Sequence, residues 1–250
     1  AFDEDMHIAI VGGKRVRIRL ADDLREERSH SVSLSADLYH TFGKVQTNLL
    51  VEGFYTILDD VFALRDMDDA ADGGKVKERY NGSGATVRGF NVEGRAAFTR
   101  WFELQAGVTL QQSRYKEPEF WSEDAEVPPV RRMFRTPDAY GYFTASFKPV
   151  RNFTADLSGT CTGSMLVQHM AGSGVAQDVA VSTPSFFDMN IRLSYDVRIY
   201  KEITMQLYGG VQNLFNAYQK DFDKGVDRDS GYIYGPSLPR SWFVGAKFSF

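Results

Sequence analysis

Residues 242–250 read Trp242-Phe-Val-Gly-Ala-Lys-Phe-Ser-Phe250. In a β-strand alternate side chains share a face, so Trp242, Val244, Ala246, Phe248 and Phe250 fall together on an apolar face. A soluble protein with such an edge strand would expose both that face and an unpaired edge. A membrane barrel removes both problems, because lipid covers the face and a neighbouring strand covers the edge. The stretch therefore favours a transmembrane β-barrel over a soluble β domain.

The composition agrees with a barrel and argues against other classes of protein. Aromatic residues make up 14% of the chain and glycine accounts for 22 of 250 residues, which fits aromatic girdles and tight turns. No apolar run approaches the roughly 20 residues of a membrane helix, but a barrel strand needs only about 10 alternating residues. A net charge of −4 argues against nucleic acid as a partner, and a single cysteine excludes an internal disulfide.

Period-two alternation recurs along the chain, and no long window shows the 3.6-residue period of an amphipathic helix. It predicts nine strands in the stretch Ser29–Phe250, and residues 7–20 are a candidate tenth. The clearest strand runs from Phe187 to Val197. Its apolar residues Phe187, Met189, Ile191, Leu193 and Tyr195 are predicted to face lipid, and Asp188, Asn190, Arg192 and Ser194 to face the lumen.

The connections alternate in length. Short turns are predicted near residues 42–44, 100–101, 150–152 and 200–202, and long polar connections at about 59–84, 116–138, 166–184 and 218–239. This order is typical of an up-and-down membrane barrel, and it places the end of the chain on the short-turn, periplasmic side. A soluble β-sandwich, the remaining alternative, gives no reason for strict alternation.

An acidic segment is a candidate metal site. Asp221, Asp223, Asp227 and Asp229 lie at alternating positions around Gly225, a spacing of oxygen ligands that suits Ca²⁺. The closing glutamate of a calcium loop is missing. The alternative is a solvated acidic loop that Lys224 and Arg228 partly neutralise.

Three residues in other connections are candidate ligand contacts. Phe120 and Trp121 are aromatic residues among charges, and His169 is in position to contact a haem- or corrin-like ligand. The alternatives are aromatics packed inside a folded loop and a histidine without a metal role.

Signatures of enzymes are missing from the sequence. It contains no Gly-x-Ser-x-Gly, no His-Glu-x-x-His and no P-loop. We therefore expect no enzyme and no required cofactor, apart from Ca²⁺ in an extracellular loop. A scattered Ser/His/Asp site, as in a barrel lipase, is the alternative.

A resemblance to a known family rests on the last part of the chain. The segments Gly210-Val-Gln-Asn-Leu-Phe-Asn216, Gly231-Tyr-Ile-Tyr-Gly-Pro236 and Pro239-Arg240, with the terminal strand to Phe250, resemble the C-terminus of TonB-dependent outer-membrane receptors. Residues 23–28 and 135–140 are similar to segments that precede barrel strands in this family. Tyr232 and Tyr234 lie within one of these segments, so we count them among the expected ligand-loop residues.

The resemblance implies a large barrel plugged by an N-terminal domain. Members import iron-siderophores, haem, cobalamin or glycans with energy from the TonB complex. Their barrels have 22 strands, so nine or ten strands indicate that residues 1–250 are a C-terminal portion of such a barrel, without the plug. The implied partners are outer-membrane lipid, the plug domain, the remaining strands, the TonB complex and a small-molecule ligand.

The family also implies a location in the bacterial outer membrane. Phe248 and Phe250 would serve as a signal for the barrel-assembly machinery. The alternative function is a complete small outer-membrane barrel that acts as a passive pore or an adhesion module.

Overall fold

The computed structural model describes residues 9–11, 14–67, 75–122, 124–200 and 202–249. These residues form sixteen β-strands and no helix. In chain order the strands are β1 (Ala9–Val11), β2 (Lys14–Leu20), β3 (Arg28–Phe42), β4 (Val45–Asp59), β5 (Phe62–Met67), β6 (Lys75–Asn81), β7 (Ala85–Thr99), β8 (Phe102–Glu119), β9 (Val130–Arg132), β10 (Ala139–Phe147), β11 (Phe153–Thr162), β12 (Leu166–His169), β13 (Val179–Ser182), β14 (Phe186–Tyr200), β15 (Ile203–Gln212) and β16 (Ser241–Ser249). Within the same ranges no helix is long and apolar enough to cross a membrane.

Nine long strands form one antiparallel sheet, which we call the wall. Its order is β16-β15-β14-β11-β10-β8-β7-β4-β3, with the short strand β9 attached to β8. Each wall strand pairs with the wall strand that precedes or follows it along the chain, as an up-and-down barrel requires. The nine strands predicted between Ser29 and Phe250 are therefore confirmed. The sheet is open, with β3 and β16 at its two edges.

The connections divide the wall into two ends. The short turns after β3, β7, β10 and β14 lie at one end, which we call the inner end. Gly43 in the first of these turns has a φ of +62°, a conformation that glycine adopts without strain. The long connections all lie at the opposite, outer end, so the predicted alternation of connection lengths is confirmed.

One face of the wall is apolar, and we call it the outward face. The register aligns Val51, Val92 and Val108 in one row across neighbouring strands. Leu34 and Val244, near the two edges, are 82% and 90% exposed. A soluble monomer rarely exposes so extended an apolar surface, whereas lipid covers one in a barrel. Phe187, Leu193 and Tyr195 lie on this face, as the alternation in β14 predicts.

The other face is polar, and its side chains bond to one another across strands. Tyr142 donates a hydrogen bond of 2.5 Å to Glu93, and Gln105 donates one of 2.8 Å to the same carboxylate. Arg192 donates to Gln206 at 3.0 Å, and its guanidinium lies over the ring of Tyr208 at 4.6 Å. In a barrel this face lines the lumen, so the wall offers a polar lining to a hydrophilic solute.

Aromatic side chains cluster on the outward face at the inner end. Trp101 in the turn after β7 meets Phe147 edge-on, with ring centroids 5.1 Å apart. Phe102 stacks on Phe98 at 5.3 Å. Barrels carry such girdles where the bilayer meets water, so this cluster marks the inner boundary of the apolar band.

A second sheet of four strands extends the outer end. Its order is β1-β2-β6-β5, and β2 pairs with β6 in parallel. The prediction of a tenth wall strand at residues 7–20 is therefore wrong, although His7 and Ile8 lie outside the described residues. Strand β2 has only seven residues, against about 9–11 for a membrane-spanning strand. Its alternate residues Arg17 and Arg19 also make a poor surface for lipid.

Candidate functional site

The long connections fold over the polar face at the outer end and enclose a small core. Val167 in β12 and Phe186 at the start of β14 are buried, together with Tyr232 and Tyr234 from the connection after β15. Phe186 lies on the same face as Asp188, so this core covers the polar face. We call the core and the residues bonded to it the loop cluster.

His169 and Tyr232 form the centre of the loop cluster. Their rings are stacked, with centroids 3.7 Å apart and planes 4° apart. The Nε2 atom of His169 lies 3.0 Å from Oδ1 of Asp223. Only 6% of His169 and 2% of Tyr232 are exposed, so these side chains hold two connections together and present little surface to a ligand.

Asp221 binds both tyrosines of the Gly231–Pro236 segment. The hydroxyl of Tyr232 donates to Oδ2 at 2.7 Å, and that of Tyr234 donates to Oδ1 at 2.5 Å. Gln219, which is 1% exposed, donates from Nε2 to the carbonyl of Tyr232 and accepts from the amide of Tyr234, both at 3.0 Å. Gln219 could not be predicted from the sequence, since a glutamine in a polar connection carries no signal of burial.

These contacts fix the charges of the cluster. Burial by itself raises the pKa of Asp221, but the hydrogen bonds from Tyr234 and Tyr232 outweigh it and hold that pKa below its ordinary value. Burial, with the bond to Asp221, raises the pKa of Tyr234 to about 12 and also raises the pKa of Tyr232. The amide of Asp229 and the His169 side chain lower the pKa of Asp223 against the effect of burial. At neutral pH the carboxylates are charged and the phenols neutral, which suits a structural network.

The four aspartates proposed as calcium ligands have different surroundings. Asp221 and Asp223 are engaged as described above. Asp229 accepts from the amides of Met170 and Gly231 at 2.9 and 2.8 Å, and the carbonyl oxygen of Asp227 accepts from an amide of the β12–β13 hairpin. Among the described residues no group of three or more His, Cys, Asp or Glu side chains is placed to hold a metal ion. The calcium site stays a prediction.

Phe120 and Trp121 lie in a different connection and differ from each other. Trp121 packs edge-on against Phe134 at 5.4 Å and donates from Nε1 to the carbonyl of Pro128 at 3.3 Å. Phe120 is 71% exposed at the end of β8. Of the five predicted ligand-loop residues, the structure brings together His169, Tyr232 and Tyr234 and leaves Phe120 free to contact a ligand.

Most of the chain matches the model of one protein family. Residues 9–214 match the family model described as TonB dependent receptor-like, beta-barrel. The chain belongs to this family. No curated protein matches it.

Solved TonB-dependent receptors share the fold. The ferric-catecholate import receptor Fiu from E. coli K12 matches with a TM-score of 0.61 at 17% identity, over 90% of this chain and 28% of Fiu. The copper transporter OprC matches with a TM-score of 0.61 at 13% identity, over 92% of this chain and 32% of OprC. The ferric enterobactin receptor PfeA from Pseudomonas aeruginosa, solved in complex with enterobactin, gives 0.60 at 14% identity, over 93% and 33%. The chain thus spans about a third of the length of these structures.

The residues that carry the family resemblance stabilise the base of the last long connection. Asn213 is 2% exposed and has a φ of +49°. Its Nδ2 donates to the carbonyls of Ala217 and Leu238, each at 2.9 Å, and thereby joins the two arms of the connection. The side chain of Asn216 accepts from the amide of Arg240 at 2.9 Å. In this TonB-dependent receptor barrel the Asn-Leu-Phe-Asn element therefore holds the two arms of the last long connection together at their base.

Arg135 links a second long connection to the same segment. Its guanidinium donates to the carbonyl of Ile233 at 2.8 Å and to the carbonyl of Gly231. Ser122 bonds to Asp178 at 2.7 Å and so joins the connection after β8 to the one after β11. The outer connections after β8, β11 and β15 are therefore interlocked, a property that the family-like Arg135–Tyr140 stretch did not reveal from sequence.

The proposed assembly signal falls at the inner end of β16. Phe248 lies on the outward face beside Met205 and is 52% exposed. Phe250 lies outside the described residues. The signal role of both stays a prediction.

Proposed function

We propose that this chain is the C-terminal portion of the barrel of a TonB-dependent outer-membrane receptor that binds and imports a scarce nutrient. The family match supports this proposal, and so do the relatives, which are named for ferric siderophores and copper. A metal-carrying small molecule is accordingly the favoured ligand class, with haem, cobalamin and glycan as the other candidates. The remaining strands, the plug domain and the TonB complex are the partners that membership in the family implies.

The observation that carries the proposal is the direction of the two edge strands. Arg28 starts β3 at the outer end, and Ser241 starts β16 at the same end, so both strands run towards the inner end. Joined to each other they would be parallel, whereas bacterial barrels close with antiparallel neighbours and even strand numbers. An antiparallel barrel therefore needs an odd number of additional strands. This argues against the alternative of a complete nine-stranded pore or adhesion module.

The two faces of the wall support a location in the outer membrane. The outward apolar face suits the acyl chains of the outer membrane, and the polar face suits a lumen that guides a hydrophilic ligand. Binding and passage would be non-covalent, so we propose no enzymatic step. Phe120 and the exposed surface of the interlocked connections would make the first contact with the ligand.

An uptake assay tests the function. Cells that lack the gene, and cells that express the complete protein, would be compared for uptake of a labelled ferric siderophore with and without an uncoupler of the proton gradient. We expect uptake only with the protein, and loss of that uptake with the uncoupler. Uptake that survives the uncoupler would instead favour the passive pore.

A further inference from the structure

The outward face carries a depression near the outer end of β3, β4, β7 and β8. Gly53 in β4 has no side chain, and the register places it between Leu34 and Phe90. The result is a depression of about 640 Å³ in the apolar surface. The side chains of Val32, Leu34, Tyr55, Phe90 and Leu110 line it.

Two arginines lie directly on the outer side of this depression. Arg88 pairs in register with Tyr55 and Gln112, and Arg114 lies two residues beyond Gln112 on the same face. Arg88 donates to Oε1 of Gln112 at 2.8 Å. In the described part of the chain neither guanidinium has a carboxylate partner.

The other charges at this level are already paired. Lys116 forms an ion pair with Asp59, and Arg132 lies 3.1 Å from Asp138, which borders the depression. Arg28, at the outer end of β3, lies 3.1 Å from Glu26. His30 occupies the row of Arg114 and adds a group that is charged only when protonated. Among the residues that the structure describes, Arg88 and Arg114 are therefore the cations beside the depression that have no carboxylate partner.

We propose that this depression and the two arginines form a binding site for a phosphorylated, multiply acylated lipid of the outer leaflet. Acyl chains fit the apolar depression, and guanidinium groups bind phosphate through paired, charge-assisted hydrogen bonds. The arginines lie between the apolar band and the outer connections, where lipid headgroups meet water. Free phosphate would leave the depression unused, and an uncharged lipid would leave both arginines without a counter-ion. A single amphiphile satisfies both halves of the site, independently of any transport by the barrel.

The test uses the complete receptor, purified in mild detergent and stripped of lipid. Native mass spectrometry would follow binding of lipid A, the acylated glucosamine disaccharide that carries two phosphates. We expect the Arg88→Gln, Arg114→Gln double variant to bind at least about tenfold more weakly, because each lost charge-assisted hydrogen bond contributes on that scale. Arg151→Gln, which removes an exposed arginine at the inner end, is the matched control and should bind as the wild type does.

The ligand is varied in the same assay. Lipid A without phosphates should bind the wild type at least about tenfold more weakly than lipid A, for the same reason. Inorganic phosphate should not compete with lipid A. Any of three results would overturn the proposal. Lipid A could bind equally well with and without its phosphates, Arg151→Gln could lose as much binding as the double variant, or inorganic phosphate could compete with lipid A.

A second pair of variants tests the apolar half. A Cβ on Gly53 would lie 3.7 Å from the ring of Phe90, an ordinary contact, so Gly53→Leu fills the depression without a clash at the backbone. A Cβ on Gly94, also on the outward face, would meet nothing within 4 Å. We expect Gly53→Leu to weaken binding of lipid A severalfold and Gly94→Leu to leave it unchanged. Both variants should run as folded, heat-modifiable barrels, and unchanged binding by folded Gly53→Leu would contradict the site.

Discussion

The imidazole of His169 lies parallel to the phenol ring of Tyr232, at a centroid distance of 3.7 Å. The two residues belong to different long connections, one between β11 and β14 and the other between β15 and β16. Asp223 completes the contact by bonding to His169, so the connections are tied by both packing and a hydrogen bond. They should therefore open together, as one cooperative unit.

Replacing Tyr232 with alanine tests this coupling. The side chain is 2% exposed, and its loss removes both the stack and a hydrogen bond to Asp221. We expect the free energy of local opening to fall by about 3–5 kcal/mol, as for other buried aromatics replaced by alanine. Hydrogen exchange should then become faster in both connections. Phe120→Ala, at an exposed aromatic, is the control, and faster exchange confined to residues 217–235 would contradict the coupling.

At acid pH the loop cluster should lose stability as Asp221 and Asp223 become protonated. The pKa of both Asp221 and Asp223 is depressed, so their contribution to stability is complete above the ordinary value of 3.8. It is lost as the pH falls through the depressed values. Protection of the two connections in hydrogen exchange should decline together in this range. Connections that keep full protection while the rest of the outer end loosens would contradict the assignment.

At basic pH the loop cluster should lose stability as the pH rises, because Tyr234 ionises. The pKa of Tyr234 is raised from 10.0 to about 12, so its stabilising effect is complete below pH 10.0 and is lost as the pH rises through about 12. Asp221→Asn removes the charge that opposes ionisation, so the pKa of Tyr234 should fall towards its ordinary value, while burial still keeps it raised. Ultraviolet absorbance of the phenolate measures this, and Asp227→Asn serves as the control. An unchanged titration in Asp221→Asn would show that the carboxylate does not set the pKa.

The orientation of the wall predicts the effect of a charge on each face. Leu193 is 46% exposed on the outward face, and Leu193→Arg should cost about 2–4 kcal/mol of folding free energy near the bilayer midplane. Thr144→Arg, on the polar face, should cost little because that face is hydrated. The amount of heat-modifiable barrel in outer-membrane fractions reports both. Equal assembly of the two variants would count against the assigned faces.

Deletion of Phe250 tests whether the proposed assembly signal is needed beyond the packing of the last strand. Deleting Phe250 should lower the yield of assembled barrel, as the family resemblance implies. Val244→Ala is the control, because Val244 is 90% exposed on the same strand and lies outside the proposed signal. Equal yields from the deletion and the control would leave Phe250 without that role.

The wall could be predicted from sequence because its determinants are local. Alternation of apolar and polar residues indicates each strand, as in Phe187–Val197. A short turn indicates each hairpin. The four-stranded sheet could not be predicted, because the parallel pairing of Val16 with Lys75 joins segments far apart in the chain. The His169–Tyr232 stack could not be predicted for the same reason, because the sequence indicated the two residues only as separate candidate ligand contacts. For Trp121 the sequence left open a ligand contact or packing inside a folded loop, and the contact of its ring with Phe134 is one that no spacing reveals.

We propose that this chain forms one part of a larger plugged receptor in the outer membrane. An antibody against residues 218–239 would measure the size of the native protein in outer-membrane fractions by immunoblot. We expect a band far above 28.2 kDa, the mass of this chain, since the edge strands β3 and β16 require further strands. A heat-modifiable band at 28.2 kDa would contradict it and would favour a complete small barrel without plug or TonB coupling.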